Sequence, residues 1–302
     1  MADSPPIAVV VLTFNEEANI GPCLDSLAGL NDVHVLDSGS TDRTVEIAQN
    51  CGAAVHHHPF TGFGTQRNWA IDHIPTRHLW QLHLDADERM TPELLAEITT
   101  ELATDPMHAG YHVPSKLIFA DRWLKHAGGY PTYQVRLFHK QRLRFIDYGH
   151  GQREVTQGTL ARLREPYLHL AFSKGLDDWF AKHAVYARRE AEEAMRELYA
   201  RPNGAPRDSL LSLDPVRRRR ALKRLAYRLP ARYFFRLAYM LLVKRAFLDG
   251  RPGLAYSHML ATYEAMMGVH LALLREARRE PVNTTERGGP ARSPHAADSP
   301  DA

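Results

Sequence analysis

The chain has 302 residues, 44% hydrophobic and 24% charged, with a net charge of +3. This excludes a fibrous or wholly disordered protein and gives room for one large domain or a domain with a smaller appendage. Its two cysteines, Cys23 and Cys51, have neither metal-site nor disulfide-framework spacing and read as small buried hydrophobes in a reducing compartment.

The opening MADSPPIAVVVL lacks a basic stretch ahead of its apolar run, so no signal peptide is expected. No apolar run is long enough to span a bilayer. Ile7 to Leu12 are continuously apolar and β-branched, the pattern of a strand buried on both faces. Thr13-Phe14-Asn15-Glu16-Glu17 follows, then Ile20, Cys23, Leu24 and Leu27 at helical spacing, with Pro22 tolerable only in a first turn. A second strand over 33–36 runs into Asp37-Ser38-Gly39-Ser40-Thr41-Asp42. The pattern predicts a helix over 43–50, stopped by Gly52, and a third strand over 53–57. Gly62 to Asn68 reads as a glycine-flanked loop delivering Gln66, Arg67 and Asn68. Trp80, Leu82 and Leu84 alternate with Gln81 and His83 as a fourth strand, which breaks into Asp85-Ala86-Asp87-Glu88. Thr91 and Pro92 then supply an N-cap and a first helical residue.

Shorter strands are expected over 111–114, 134–138 and 142–146, around a loop at 125–133. A helix begins near Leu176, with Trp179, Phe180, Ala184, Ala187, Ala191, Met195 and Leu198 on one face, and stops at Pro202 to Pro206. Between Arg217 and Arg251, arginines and lysines interleave with tyrosine, phenylalanine and leucine and face almost no acids. That is the pattern of an interfacial membrane element; a charged face packed on the preceding domain and a dimer contact are the competing readings. No nucleic-acid motif accompanies the charge, so nucleic acid is not an expected partner. From about Pro281 the tail reads as disordered.

Strands alternating with helices predict an α/β fold, a mostly parallel sheet with helices on both faces, followed by a C-terminal helical region. Such sheets bind ligands beyond the carboxyl ends of their strands, where the polar clusters after Leu12, Leu36 and Leu84 fall. Asp85 and Asp87 are hard oxygen ligands of the kind Mg²⁺ or Mn²⁺ uses beside phosphates. Each cluster also has a plain reading: Asn15 as a cap, Asp37 as a turn former, Gly62 and Gly64 as loop punctuation. His56-His57-His58 is not a zinc site, because successive side chains on a strand diverge. Trp69 and Trp123 suit either core packing or stacking on a sugar.

In TFNEEANI, LDSGSTDRT, Gln66-Arg67-Asn68 and LDADE, taken in order over residues 7–90, the chain resembles the family 2 glycosyltransferases with the GT-A (Rossmann-like) fold. YQVRLFH and LDGRPGLAYSHMLATYE extend the resemblance more loosely, toward the bacterial lipopolysaccharide core β-glucosyltransferase group. The resemblance implies a GT-A domain over 1–175, and the composition adds a membrane-associating helical region over 176–280 and a disordered tail over 281–302. The resemblance also implies that Thr13, Asn15, Glu16 and Asp37 hold a nucleoside and that Gln66, Arg67 and Asn68 close over the nucleotide. Asp85 then lies near the ribose, and Asp85 and Asp87 hold Mg²⁺ or Mn²⁺ against the diphosphate. The resemblance implies Glu154 as the general base, although many relatives carry His where this chain has Arg153, and the plain reading is that Glu154 pairs with Arg153 or Arg136; Asp121, Asp147 and His150 are the fallback bases. Arg136 would face donor phosphates or an acidic acceptor. The implied activity is inverting transfer of a hexose, UDP-glucose first, from a nucleotide sugar to a lipid-borne saccharide such as lipopolysaccharide core. The enzyme would be cytoplasmic and bound peripherally to the inner leaflet through the stretch from Arg217 to Arg251. The alternatives are another donor, a polyprenyl or peptide acceptor, or a non-catalytic nucleotide-sugar-binding or membrane scaffold protein.

Overall fold

Seven consecutive apolar or small residues form the first strand, β1 (Ile7–Thr13), and all but one of them are buried, as a strand flanked on both sides and covered on both faces must be. In this computed structural model, residues 5–104, 106–148, 151–199, 218, 221 and 231–279 are described. The further strands are β2 (Val33–Asp37), β3 (Ala54–His57), β4 (Trp80–Asp85), β5 (Glu88–Arg89), β6 (Gly110–Phe119), β7 (Arg122–Trp123), β8 (Thr132–His139), β9 (Arg144–Tyr148), β10 (Gly151–Val155), β11 (Leu160–Arg162) and β12 (Tyr167–His169). The helices are α1 (Ile20–Asp25), α2 (Thr44–Asn50), α3 (Phe63–His73), α4 (Pro92–Leu102), α5 (Leu176–Tyr199), α6 (Arg232–Ala238) and α7 (Gly250–Arg279).

Ten strands form one mixed sheet in the order β3-β2-β1-β4-β8-β6-β12-β5, with β7 and β11 attached to β6. The first four are parallel, β8 runs antiparallel to both β4 and β6, and β12 returns parallel to β6. The α/β expectation therefore holds, with a parallel half and a mixed half. The core lies where β1 and β4 meet α1 and α4, with Val9, Val11, Ile20, Leu82, Leu84, Leu94 and Ile98 buried together. Pro22 sits in the first turn of α1, and the Thr91 hydroxyl accepts from the Leu94 N–H at 3.1 Å as the cap of α4.

The expected loop carrying Gln66, Arg67 and Asn68 is instead helix α3. Its N-cap position, Gly62, has no side chain, so the capping signal is absent locally. Asp147 of β9 supplies it from 83 residues away, accepting from the Gly64 N–H at 2.7 Å and the Thr65 hydroxyl at 2.6 Å. The glycines allow this approach. A Cβ on Gly64 would lie 2.6 Å from the Ile146 carbonyl carbon, and one on Gly62 would lie 2.4 Å from the Asp147 carboxylate. Asp147 is thus engaged as a cap rather than available as a base.

Two compact units divide the chain: Met1–Tyr186 with Ala231–Ala265, and Ala187–Pro230 with Met266–Ala302. Residues 231–265 therefore belong with the α/β part rather than with a separate helical region. Met240, Ala246 and Met259 pack with Phe119, Leu124 and Trp179. The buried Asp249 carboxylate accepts from the backbone N–H groups of His126 at 2.9 Å and Ala127 at 2.7 Å. In the second unit, Ala191, Ala194, Met195 and Leu271 are buried, and Arg278 lies over the Tyr199 ring at 4.5 Å. His150, the helix stop at Pro202 to Pro206, the tail beyond Pro281 and most of residues 217–230 lie outside the described residues. None of the described helices is long and apolar enough to cross a membrane.

The two cysteines differ, contrary to expectation. Cys23 is buried in α1, whereas Cys51 follows α2 and is exposed. Burial pushes the Cys23 thiol up to about 12, so it resists forming the reactive thiolate. In the native protein a maleimide is expected to label Cys51 and to reach Cys23 only after unfolding; peptide mapping that finds both labelled at one rate would contradict this packing.

Candidate active site

Parallel register brings the carboxyl ends of three strands side by side: Thr13 of β1 pairs with Asp37 of β2, and Leu12 pairs with Asp85 of β4. The loops beyond β1 and β2 lace together. Asp37 accepts from the N–H groups of Gly39 at 2.9 Å and Ser40 at 3.0 Å, so its buried carboxylate shapes the turn that follows β2. Asn15, in left-handed backbone at φ 52°, donates its N–H to the Ser40 hydroxyl and accepts from the Thr41 N–H, both at 2.8 Å. The Glu16 N–H donates to Thr44 Oγ1 at 2.7 Å, and the Glu16 carboxylate is held by Lys174 at 2.5 Å and by Asn19 at 2.6 Å. Thr13 Oγ1 is buried without a partner among the described residues. Asn15, Glu16 and Asp37 thus build the rim through their own hydrogen bonds, while the Thr13 hydroxyl is unengaged.

The triplet on α3 separates by direction. Gln66 accepts from His58 at 2.7 Å and donates to Ser38 at 3.1 Å, tying α3 to the loops beyond β2 and β3. Asn68 donates to the Phe145 carbonyl at 2.7 Å and accepts from the Phe145 N–H at 3.0 Å, pairing with β9 as another strand would. Only Arg67 turns toward Asp85, reaching it at 3.0 Å while Nε donates to Gln152 at 2.8 Å.

Arg136 completes this centre. Tyr111 pairs with Leu137 and His112 with Val135, which leaves Arg136 as the extra residue of a bulge in β8. Bulges re-aim side chains, and this one sends the buried guanidinium to Asp85 at 2.7 Å and to Glu88. Glu88 also accepts from the Asp85 N–H at 3.0 Å. Burial alone would raise the Asp85 pKa, but the charges of Arg136 and Arg67 outweigh it and hold the carboxyl well below the usual range. Burial pushes Glu88 up to about 7 against the pull of Arg136. Burial also lowers Arg67 to about 10, with Arg136 acting in the same direction. Arg67 Nη1 is buried with no partner among the described residues.

Arg67, Asp85 and Arg136 line a cleft of about 390 Å³ together with His112, Tyr133, Gln152 and Glu154. Glu154 forms no ion pair among the described residues: Arg153 lies over the Tyr148 ring at 3.3 Å, and Arg136 is held by Asp85 and Glu88. His169 also lines the cleft, with Nε2 3.4 Å from an Asp87 carboxylate oxygen. Burial would lower the His169 pKa, but the Asp87 hydrogen bond and the charges of Asp87, Glu88 and Asp85 raise it to about 9.

Among the described residues no group of three or more His, Cys, Asp and Glu side chains forms a metal cage. Asp85 is already bound to two arginines. Asp87 and His169 remain, one carboxylate and one imidazole. A carboxylate with phosphate oxygens and water is the usual surrounding of Mg²⁺, and the imidazole, once deprotonated, would add one nitrogen donor to such a site. His169, Glu88, Gln152 and Lys174 were not identified from the sequence. Glu88 reads as one more acid of a surface loop, and His169 lies in a three-residue strand too short for its alternation to register.

The family model described as glycosyl transferase family 2 matches residues 8–157. The lipopolysaccharide core biosynthesis glycosyltransferase LpsC of Rhizobium meliloti (strain 1021) is 29% identical over 157 residues, covering 50% of this chain and 54% of LpsC. An uncharacterized glycosyltransferase, RT0209, of Rickettsia typhi is 39% identical over 93 residues, covering 30% of this chain and 31% of its own. The chain thus spans about half, or less, of the length of these curated relatives. Glucosyl-3-phosphoglycerate synthase from Mycobacterium tuberculosis, solved with Mn²⁺ and UDP-glucose, superposes with a TM-score of 0.42 at 20% identity, covering 61% of this chain and 77% of that one.

Removing one partner from a buried ion cluster leaves an uncompensated charge, at a cost of roughly 3–5 kcal/mol. Arg136→Ala is therefore expected to lower the unfolding free energy by about that amount, whereas Asp87→Ala, in a partly exposed carboxylate, should cost less than about 1 kcal/mol. Equal denaturation midpoints for the two variants would refute the structural role of Arg136.

Proposed function

Because residues 8–157 belong to glycosyl transferase family 2, we propose that the chain moves a hexose from a nucleotide sugar to a saccharide carried on a lipid. UDP-glucose is the donor to try first, and a lipopolysaccharide core saccharide is the acceptor, in keeping with the name of LpsC. The observation that carries this reading is the buried Arg67-Asp85-Arg136-Glu88 centre at the end of β4, in which Arg67 lines the cleft and keeps a buried Nη1 without a partner among the described residues. A guanidinium held rigid and incompletely bonded is a seat for an anion such as a diphosphate.

Breaking the bond between a sugar and a nucleoside diphosphate builds negative charge on the leaving oxygens. Groups fixed in advance where that charge develops stabilise the transition state without reorganising. Arg67 is fixed by Asp85 and Gln152, and Arg136 keeps Asp85 from repelling the incoming phosphates. Asp87 and His169 would hold Mg²⁺ or Mn²⁺, which when bound acts as a Lewis acid on the leaving group. Glu154 lines the cleft without an ion-pair partner and is the carboxylate suited to take the proton from the acceptor hydroxyl. Thr13 supplies a free hydroxyl on the nucleoside side, and the backbone shaped by Asn15, Glu16 and Asp37 forms that rim.

Nucleoside diphosphate release across a panel of sugar nucleotides tests the reading. Glu154→Gln is expected to reduce kcat by about 10²–10⁴ while donor still binds. Asp87→Ala should abolish the stimulation of turnover by added metal. Full turnover in Glu154→Gln would remove its assignment as base, and no release from any donor would remove the transferase reading.

A lipid-borne acceptor accords with the segment from Arg232 to Asp249. Phe234, Leu242 and Val243 are 68%, 76% and 66% exposed, and Phe235, Phe247 and Leu248 are exposed beside them. Arg236, Lys244 and Arg245 make no ion pair among the described residues. Exposed large apolar groups interleaved with cations that lack a carboxylate partner match the interface of an anionic leaflet. Co-sedimentation with vesicles containing phosphatidylglycerol is expected to fall roughly tenfold or more in a Leu242→Asp, Val243→Asp double variant. Undiminished co-sedimentation would make this face a protein contact instead.

A further inference from the structure

One wall of the cleft continues outward as a strip that the donor chemistry does not use. On β6, Val113 is buried in the core while His112 and Lys116 lie on the opposite face. Register carries that face sideways: Pro114 pairs with Tyr133 of β8, and His112 pairs with Arg162 of β11. His112 and Tyr133 line the cleft, and Arg162 sits over the Tyr133 ring at 5.2 Å. Farther out, Trp123 of β7 pairs with Ile118. Lys116 lies over its ring at 4.9 Å and Lys125 at 5.6 Å. Two half-buried aromatic rings thus follow one another away from the cleft, each with cations against it.

Lys116, Lys125 and Arg162 form no ion pair with a carboxylate among the described residues. Glu165 carries a charge that reaches the Tyr130 hydroxyl nearby, yet it pairs with none of the three. A charge run on a solvated face normally mixes both signs or pairs with its neighbours; here three cations are held on aromatic faces and their ammonium and guanidinium donors are left open. An aromatic face packs on the apolar face of a pyranose, and an adjacent open cation binds a phosphate or carboxylate borne by that sugar.

We propose that this strip is the acceptor platform and that the acceptor is an acidic saccharide. Sugar rings lie against the parts of Tyr133 and Trp123 that the cations leave uncovered, and their phosphate or carboxylate groups meet Arg162, Lys116 and Lys125. The proposal rests on the transferase reading for which sugar is extended, but the binding it describes is independent of turnover. Tyr133 joins the platform to the cleft, so a saccharide bound here presents its terminal hydroxyl to the cleft that Glu154 also lines.

The test is calorimetric binding to the full chain of three oligosaccharides of equal length: one phosphorylated, one containing a uronic acid, and one neutral. At least one acidic ligand should bind roughly tenfold or more tightly than the neutral one, with affinity falling as salt rises. The phosphorylated and uronic arms identify which anion the strip takes. A Lys116→Gln, Lys125→Gln, Arg162→Gln triple variant should lose that preference while its thermal midpoint and its binding of nucleoside diphosphate stay unchanged. Equal affinity for all three oligosaccharides, or a preference that survives in the triple variant, overturns the proposal. Acidic-saccharide binding retained in a chain that hydrolyses and transfers no donor would instead overturn the transferase reading and leave the platform standing.

Discussion

The interior position of Arg136 sets the terms for the rest of the site. A guanidinium 2% exposed cannot remain charged unless that charge is met, and neutralising it is out of reach at any ordinary pH. Asp85 and Glu88 both accept from its Nη2, while Nε is buried without a partner among the described residues, so the charge is met and the donor set is not complete. Each of these carboxylates would itself be costly to bury alone, so the three groups are stable only as a set. Arg136 is the residue left unpaired by the bulge in β8, between the pairings of Leu137 and Val135 with β6. Pairing between β4 and β8 covers Trp80 to Leu82, and the remainder of β4 is left open to receive the guanidinium.

Once Asp85 is held in this way, the surrounding groups divide into those that shape and those that remain open. Asn15, Glu16, Asp37, Gln66 and Asn68 are consumed in hydrogen bonds that fix loops and dock α3. Arg67, Glu154 and His169 line the cleft, and Thr13 Oγ1 and Arg67 Nη1 are buried without partners among the described residues. A preorganised cleft requires both classes: a polar group that binds a ligand must be rigid beforehand, and its rigidity comes from neighbours whose own bonds are complete.

The difference between these classes explains how much the sequence revealed. The parallel half was readable because β1, β2 and β4 are continuous or alternating apolar runs that each end in a polar cluster, and parallel connection puts those ends together. Positions were therefore legible, but orientations were not. Nothing local distinguishes Arg67, which points at Asp85, from Asn68, which pairs with β9. The helix α3 was hidden for a related reason, since its cap is Asp147, distant in sequence, and Gly62 offers no local signal. Arg136 looked like a ligand-binding cation because a bulge cannot be seen in one strand; it exists only in the mismatch between β8 and β6. Cys51 was misjudged by type alone, as nothing about a residue just past a helix end compels burial.

The segment before α7 shows how one short turn can serve two environments. Phe247 and Leu248 are half exposed, and the next residue, Asp249, is 4% exposed and grips the backbone of His126 and Ala127. The close packing of Gly253 on the Ala246 carbonyl fixes that turn against the start of α7, since a Cβ there would lie 2.2 Å from the oxygen. Lys125, Trp123 and Tyr130 flank the gripped backbone, so the apolar face proposed to meet lipid and the cationic strip proposed to meet the acceptor are joined by the buried Asp249 carboxylate and by the packing of Met240 and Ala246 with Phe119 and Leu124. A rigid link of this kind holds the acceptor strip at a set distance from the apolar face, which is the constraint that an acceptor anchored in lipid would impose.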